Sequence, residues 1–294
     1  MDYLNNNIDP ALLVSLNAVL TFEQIGNRFG MTRGKVAGII NRYKAKDTKR
    51  KLFETVALGT PFTLQGDFII VGDIHVPTTD YDFASLVLVI AKKYGIKQLI
   101  IAGDTFNMDA FSLYEAISET PSWEQERDAA RILFHDWLEW FDDIYVIMGN
   151  HDRRLQKWAG GQLDETDIFG MITSSDKVHV SNYGYLTVKT RQGDYLVTHS
   201  KNYSVNQLTV ASELAQKYQC HIISHHEHHS AIGWDRFGRY VIVNNGGLFD
   251  QNKMAYVMLE NGKNPVMKNS FCMLRNGSVK VFGKEPFTDW SEYL

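Results

Sequence analysis

Five short clusters of Asp, His and Asn stand out in this 294-residue chain. The first is Asp73-Ile74-His75. In extended chain, residues i and i+2 point the same way, so a carboxylate and an imidazole converge there. Gly103-Asp104 follows, with Asn107 nearby, and then Gly149-Asn150-His151-Asp152. His199 comes next, and last the run His225-His226-Glu227-His228-His229. Each cluster alone has a plain structural explanation. A lone Asp after a strand caps the next helix, a lone His sits on a surface or in a core, and a His-rich tract is only a compositional hint of metal binding. Five in succession, each at a strand end and each using residue types that hold divalent metals, exceed that explanation.

Carboxylate, imidazole and amide-oxygen donors without thiolate suit manganese, iron, zinc, nickel or cobalt better than a structural zinc site, with manganese foremost. The donors outnumber the needs of one tetrahedral ion. A bridging carboxylate with ligands on either side points to two divalent ions roughly 3.5–4 Å apart, the spacing that serves in-line displacement at phosphorus. Solvent bridging such a pair becomes hydroxide near neutral pH and attacks phosphorus. A histidine then protonates the departing oxygen as general acid, and no covalent phospho-enzyme is needed.

The elements that must position these residues alternate at first between strand and helix. Asp67–Gly72 reads as a short β-branched strand, Tyr81–Tyr94 as a helix, Gln98–Ala102 as a strand, Trp123–Phe141 as a helix and Ile144–Met148 as a strand. In open α/β sheets, ligand sites lie beyond the carboxyl ends of the strands, which is where the polar clusters fall. After residue 178 the pattern turns mostly to strands, expected at 184–190, 194–199, 221–224, 239–245, 254–260, 270–275 and 278–283, with one helix at Asn206–Tyr218. Asn261-Gly262 and Asn276-Gly277 are hairpin signals. The expected fold is α/β, a two-sheet αββα sandwich, preceded by a small all-α domain.

With its DIH, GDTFN, GNHD, THS and HHEHH segments, the chain resembles the calcineurin-like metallophosphoesterases over about residues 67–250. The resemblance implies roles residue by residue. Asp73, His75 and His228 would bind the first metal, Asp104 would bridge, and Asn150, His199 and His226 would bind the second. His151 would sit near the leaving-group oxygen, with Asp152 orienting and charge-tuning it. Val243–Gly247 is similar to the family's late Asn-Pro-Gly turn but lacks its proline. The fifth block also departs from the usual Gly-His-x-His, since His225 replaces the glycine. Spacing favours His226 and His228 as the ligand pair, but a helical segment would instead put His225 and His229 on one face. Arg153 and Arg154 directly follow the third block, either to hold a substrate phosphate by a bidentate contact or as a solvated surface pair. His135, His179 and His221 lie outside the clusters and read as structural.

Before this body, residues 9–46 read as three helices. Asp9-Pro10 starts the first, Thr21 with Gln24 forms a capping box for the second, and Thr32 caps the third. Phe22–Asn41 looks like a helix-turn-helix, with Ile25, Phe29, Met31, Val36 and Ile39 inward, Gly26 at the helix crossing and Gly30 at the turn. Arg33, Lys35 and Arg42 would then face DNA. A helical docking or dimerisation bundle is the competing reading. Residues 1–51 carry nine basic and four acidic side chains, +5, against −9 for the remainder of a chain whose net charge is −4. A basic module at 1–51, a linker at 52–66 and an acidic body at 67–294 follow.

Hydrophobic residues at 44% and charged residues at 22% exclude disorder as the main state. Cys220 and Cys272 form no disulfide framework and fit a reducing compartment. The apolar stretch Ala11–Leu20 is too short to span a bilayer, and acids rather than basic residues precede it. A cytoplasmic protein without a membrane segment is expected. Three functions compete: a metal-dependent nuclease or nucleic-acid end phosphatase tethered to DNA, a phosphoesterase acting on small molecules or phosphoproteins, and an inactive DNA-binding regulator. The complete ligand set argues against the third. Oligomeric state is not legible.

Overall fold

The computed structural model describes residues 8–17, 20–54, 59–112, 119–254 and 267–294, with backbone alone at residues 11 and 45–54. The chain divides into two units, 1–58 and 59–294.

The first unit holds three helices, α1 (Pro10–Leu16), α2 (Phe22–Phe29) and α3 (Arg33–Glu54). Proline opens α1, and the Thr21–Gln24 capping box closes the amino end of α2. Thr32 accepts the Lys35 N–H at 3.3 Å at the start of α3. Leu13, Ile25, Met31, Val36 and Ile40 form the buried core, with Phe29 and Ile39 packed partly buried against it. Helix α2 can approach the next turn because residue 26 is glycine: a Cβ there would lie 2.4 Å from the Met31 carbonyl oxygen. Helix α3 runs to Glu54, beyond the expected end at about Lys46. The basic stretch Lys44–Lys51 thus continues the helix, and residues 52–54 of the expected linker are helical too.

Among the described residues, the second unit contains two six-stranded sheets. One has β1 (Thr63–Gln65), β6 (Tyr185–Lys189), β7 (Tyr195–His199), β8 (His221–His225), β10 (Val241–Asn244) and β9 (Ala231–Trp234) side by side in that order. The other has β12 (Ser278–Gly283), β11 (Ser270–Arg275), β2 (Phe68–Val71), β3 (Gln98–Ala102), β4 (Asp143–Ile147) and β5 (Val178–Ser181). Strands β2 to β5 run parallel, as do β7, β8 and β10. The Asn276-Gly277 turn joins the antiparallel pair β11–β12, with both residues at positive φ.

The period-two alternation of side chains builds the layers. Phe68, Ile70, Ile100, Cys272 and Leu274 point toward the other sheet and meet Leu186, Val188, Val197, Ile223 and Val243. Ile69, Val71, Leu99, Ile101, Phe271 and Met273 point outward, under helices α4 (Tyr81–Tyr94), α5 (Trp123–Leu138) and α7 (Glu165–Gly170). Helix α8 (Thr209–Tyr218) covers Leu196, Ile222 and Ile242 on the far side. Helix, sheet, sheet and helix thus stack as an α/β sandwich.

Several elements differ from the sequence expectations. Residues 52–66 are not all linker, because Thr63–Gln65 pairs in parallel with Thr187–Lys189. Strands β5 and β9 and the short helices α6 (Arg153–Trp158) and α7 carry too few residues for a periodic signal. Helix α8 starts at Thr209 rather than Asn206, after Leu208 at φ 64°. The expected strand at 254–260 and the Asn261-Gly262 turn fall almost wholly outside the described residues. No helix among the described residues is long and apolar enough to cross a membrane.

Candidate metal centre

Parallel strands from both sheets deliver the five clusters to one place. Asp73 and His75 follow β2, Asp104 follows β3, Asn150 and His151 follow β4, His199 ends β7, and His226 and His228 follow β8. Two sets of donors result. Atoms of Asp73, His75 and His228 lie within 4.8 Å of one another, as do those of Asp104, His199 and His226. His75, Asp104 and His151 form a third, linking set.

In the first set, His228 Nε2 is 3.0 Å from Asp73 Oδ1 and 3.4 Å from His75 Nε2. Asp73 Oδ2 accepts the His226 backbone N–H at 3.1 Å and faces His225 Nδ1 at 3.2 Å. This resolves the fifth block. The segment is not helical; His225 ends β8, fully buried, and its ring occupies the second oxygen of Asp73. In the second set, His199 Nε2 lies 3.2 Å from Asp104 Oδ2 and 3.1 Å from Asn150 Oδ1. His199 Nδ1 lies 3.0 Å from the Ala102 carbonyl, so the ring donates there and leaves Nε2 for the site. Backbone-anchored imidazoles of this kind are the usual form of metal-bound histidine.

The local backbone is built for these contacts at a cost. Among the described residues, five of the nine non-glycine positions with positive φ are Asp73, His75, Asp104, His226 and His228. Each left-handed conformation costs about 1–2 kcal/mol, and such residues concentrate at functional sites. Gly149 allows the third loop to touch the second, since a Cβ there would lie 2.1 Å from Asp104 Oδ1.

Charges are strongly coupled. Burial alone would raise the Asp73 carboxyl, but His228, with His225, holds it well below the usual carboxylate range. Burial likewise opposes ionisation of Asp104, and His199 and His151 overcome it and pull the carboxyl down. Burial would lower His199, yet the Asp104 carboxylate pushes it up to about 10. His75 is held well below the ordinary imidazole range by burial and by His151. His75 Nδ1 is buried with no hydrogen-bond partner. Converging imidazole nitrogens and low carboxyls fit divalent-cation ligands.

His151 stands at the edge of this centre, its ring 4.7 Å from that of His75. Its Nδ1 is 2.7 Å from the Asn107 carbonyl, and its Nε2 is 3.2 Å from an Arg154 nitrogen. Burial pulls its imidazole below the ordinary range, with Asp104 opposing and Arg154 reinforcing. Asp152 departs from the expected role. Its carboxylate does not orient the His151 ring; it accepts the backbone N–H groups of Asp104 (2.8 Å), Gly149 (2.9 Å) and Phe106 (3.2 Å), tying two ligand loops together. Burial and the nearby Asp104 push it up to about 7.

The two arginines separate. Arg154 joins the site, bonded to the Asn107 carbonyl at 2.9 Å and paired with Asp109. Arg153 turns to Asn182, bonding its side-chain and main-chain oxygens. Of the remaining histidines, His179 pairs with Asp143, His135 with Glu139, and His221 packs on Tyr195. Sequence reading missed Glu126, a fully buried carboxylate on α5 that binds the loop after Asp104. Its spacing from Ala130, Leu133 and Trp137, on the inward face of α5, was the available signal.

A family model, calcineurin-like phosphoesterase, matches residues 66–262, the stretch that holds every candidate ligand. Similar solved structures include Yfce, a phosphoesterase from E. coli, at 16% identity over 71% of this chain and 88% of that one, with a TM-score of 0.38. Vps29 from Chaetomium thermophilum is 12% identical over 74% and 97%, with a TM-score of 0.37. Vps29 complexed with Zn+2 from Entamoeba histolytica is 13% identical over 74% and 98%, with a TM-score of 0.36. No curated protein sequence matches the chain.

Proposed function

The chain belongs to the calcineurin-like phosphoesterase family, and on that premise we propose that it is a dinuclear metal-dependent hydrolase of phosphate esters in nucleic acid, a nuclease or end phosphatase. The observation that carries the reading is the meeting of two ligand sets at Asp104, which neighbours His199 on one side and His75 and His151 on the other. Asp73, His75 and His228 would hold one divalent ion and Asn150, His199 and His226 the other, with Asp104 shared. Bound there, such ions supply Lewis-acid chemistry, activating water and neutralising phosphate charge; manganese is the first candidate.

The chain's own residues do the rest. Arg154, partly buried beside His151, is placed to take a phosphate oxygen. His151 keeps Nδ1 on the Asn107 carbonyl; Nε2 accepts from Arg154, and once Arg154 turns to the phosphate, Nε2 is the atom that takes up the proton and delivers it to the leaving oxygen. An arriving phosphate places negative charge beside this imidazole and favours its protonated form. Asp152 fixes the loops of Asp104 and Gly149 and keeps the shared carboxylate in place.

Nucleic acid as substrate rests on the first unit. Thr32, Arg33, Gly34 and Lys35 are exposed at the start of α3, and Arg42 is exposed two turns on, its guanidinium folded against the Gly38 carbonyl. We read α2 and α3 as a helix-turn-helix whose basic residues grip phosphates. Gly34 and Gly38 leave little to read base edges, which favours contact independent of sequence.

The test is a substrate panel. Manganese-supplemented protein is assayed on duplex DNA, single-stranded DNA, nucleotides and bis(p-nitrophenyl) phosphate. Turnover of DNA, internally or at its ends, together with the chromogenic diester, is expected. Turnover restricted to nucleotides or other small monoesters would move the assignment to a small-molecule phosphatase, with the helices as a docking or dimerisation module.

A further inference from the structure

We propose that Glu126, outside the ligand set, is a positioning residue that fixes His151 through the backbone of Asn107 and Met108. The inference rests on the reading of His151 as proton donor.

Glu126 is completely buried in the first turn of α5. Its inward-facing companions are Ala130, Leu133 and Trp137, so packing alone would be served by an apolar side chain. A buried carboxylate is costly unless hydrogen bonds compensate it. Burial pushes this one up to about 8, against the pull of the Met108 N–H. Its bonds all go to one place. Met108 N–H reaches Oε1 at 2.9 Å and Oε2 at 2.7 Å, and Asn107 N–H reaches Oε2 at 3.1 Å while shared with the Val76 carbonyl at 3.2 Å.

Met108 needs this support. It is a non-glycine residue at φ 51°, a conformation that persists only where surroundings over-determine it. Fixing both amides aims the Asn107 carbonyl. That oxygen accepts His151 Nδ1–H at 2.7 Å and an Arg154 nitrogen at 2.9 Å. The Asn107 side-chain Nδ2 donates to Asp109 at 2.7 Å, and Asp109 pairs with Arg154. One carboxylate thus anchors the loop that sets the tautomer of His151 and the reach of Arg154. A ring held by its Nδ1–H presents Nε2 to the reaction.

The test compares Glu126→Gln, His151→Ala and the double variant in the full chain with manganese. Glu126→Gln keeps the shape and one acceptor oxygen. It should slow an alkyl phosphodiester about 10–100-fold, as loss of an orienting partner does. Bis(p-nitrophenyl) phosphate, whose leaving group needs little protonation, should change far less. In the His151→Ala background the substitution should add nothing, because both act through one group. In metal-free protein with ¹⁵N-labelled histidine, NMR should show the Nδ1–H tautomer for His151 and its loss or mixing in Glu126→Gln. Equal slowing of both substrates, full additivity with His151→Ala, or an unchanged tautomer would overturn the proposal. If His151→Ala shows no dependence on the leaving group, the acid role fails, and the tautomer measurement still decides the positioning role. Glu126→Asp, which keeps the carboxyl group but withdraws both oxygens, serves if the Gln variant does not fold.

Discussion

Asp104 is the side chain the proposed site can least spare, because it belongs both to the set with His199 and His226 and to the set that links to His75 and His151. Asp104→Asn should abolish turnover on every substrate and lower metal content; retained activity on any ester would contradict a shared carboxylate. His151→Ala should be selective instead, slowing alkyl or DNA phosphodiester cleavage about 10²–10⁴-fold while a p-nitrophenyl ester suffers less. The protons can be followed as well. Asp104 pushes His199 up to about 10 in the metal-free protein, from an unfolded value of about 6.5. A raised imidazole stabilises the metal-free fold fully below about pH 6.5, and that stability is lost as pH rises through about 10. Ligation requires the neutral ring, so metal affinity should rise with pH across the same window. Calorimetry at pH 7.5 in buffers of different ionisation enthalpy should detect proton release on metal uptake; uptake without release would contradict the Asp104–His199 ion pair. The candidate ligands were legible because five clusters of Asp, His and Asn follow one another at strand ends, although no single cluster is unusual. The roles of Asp152 and Glu126 were not, because both act on backbone N–H groups that no sequence pattern displays.

The working strands were legible too. β2, β3 and β4 are short apolar runs that lead into Gly72, Gly103 and Met148-Gly149, and the clusters begin where pairing ends. What stayed hidden is short or at an edge. β1 has three residues and takes its identity from pairing with β6, and β9 is an edge strand with alternate residues exposed and a glycine inside. Helix α6 follows the Asn150 turn directly and has six residues, too few to show a period. In the first unit, the glycine crossing between α2 and α3 offers an element-scale test. Gly26→Ala forces a Cβ against the Met31 carbonyl and should destabilise that unit by about 1–3 kcal/mol. Hydrogen exchange should show faster opening of α2 and α3 amides, and duplex affinity should fall. Unchanged protection would mean that the close crossing is not needed.

Across the whole chain, charge is divided, +5 in residues 1–51 and −9 beyond. An acidic body repels a polyanion, so binding to long DNA should depend on the first unit. Each neutralised phosphate contributes about 0.9 to the slope of log K against log salt. Deleting residues 1–58 should weaken duplex binding and flatten that slope. Turnover of bis(p-nitrophenyl) phosphate should persist, because none of the proposed ligands precedes Asp73. Full affinity and full salt dependence after deletion would move weight to a small-molecule phosphatase. The proposed chemistry presupposes two ions gathered by one carboxylate, and anomalous diffraction from manganese-loaded crystals tests that most directly. Two peaks sharing Asp104, one among Asp73, His75 and His228 and the other among Asn150, His199 and His226, are the predicted result. A single ion, or ions bound by the His225–His229 run without Asp104, would contradict it.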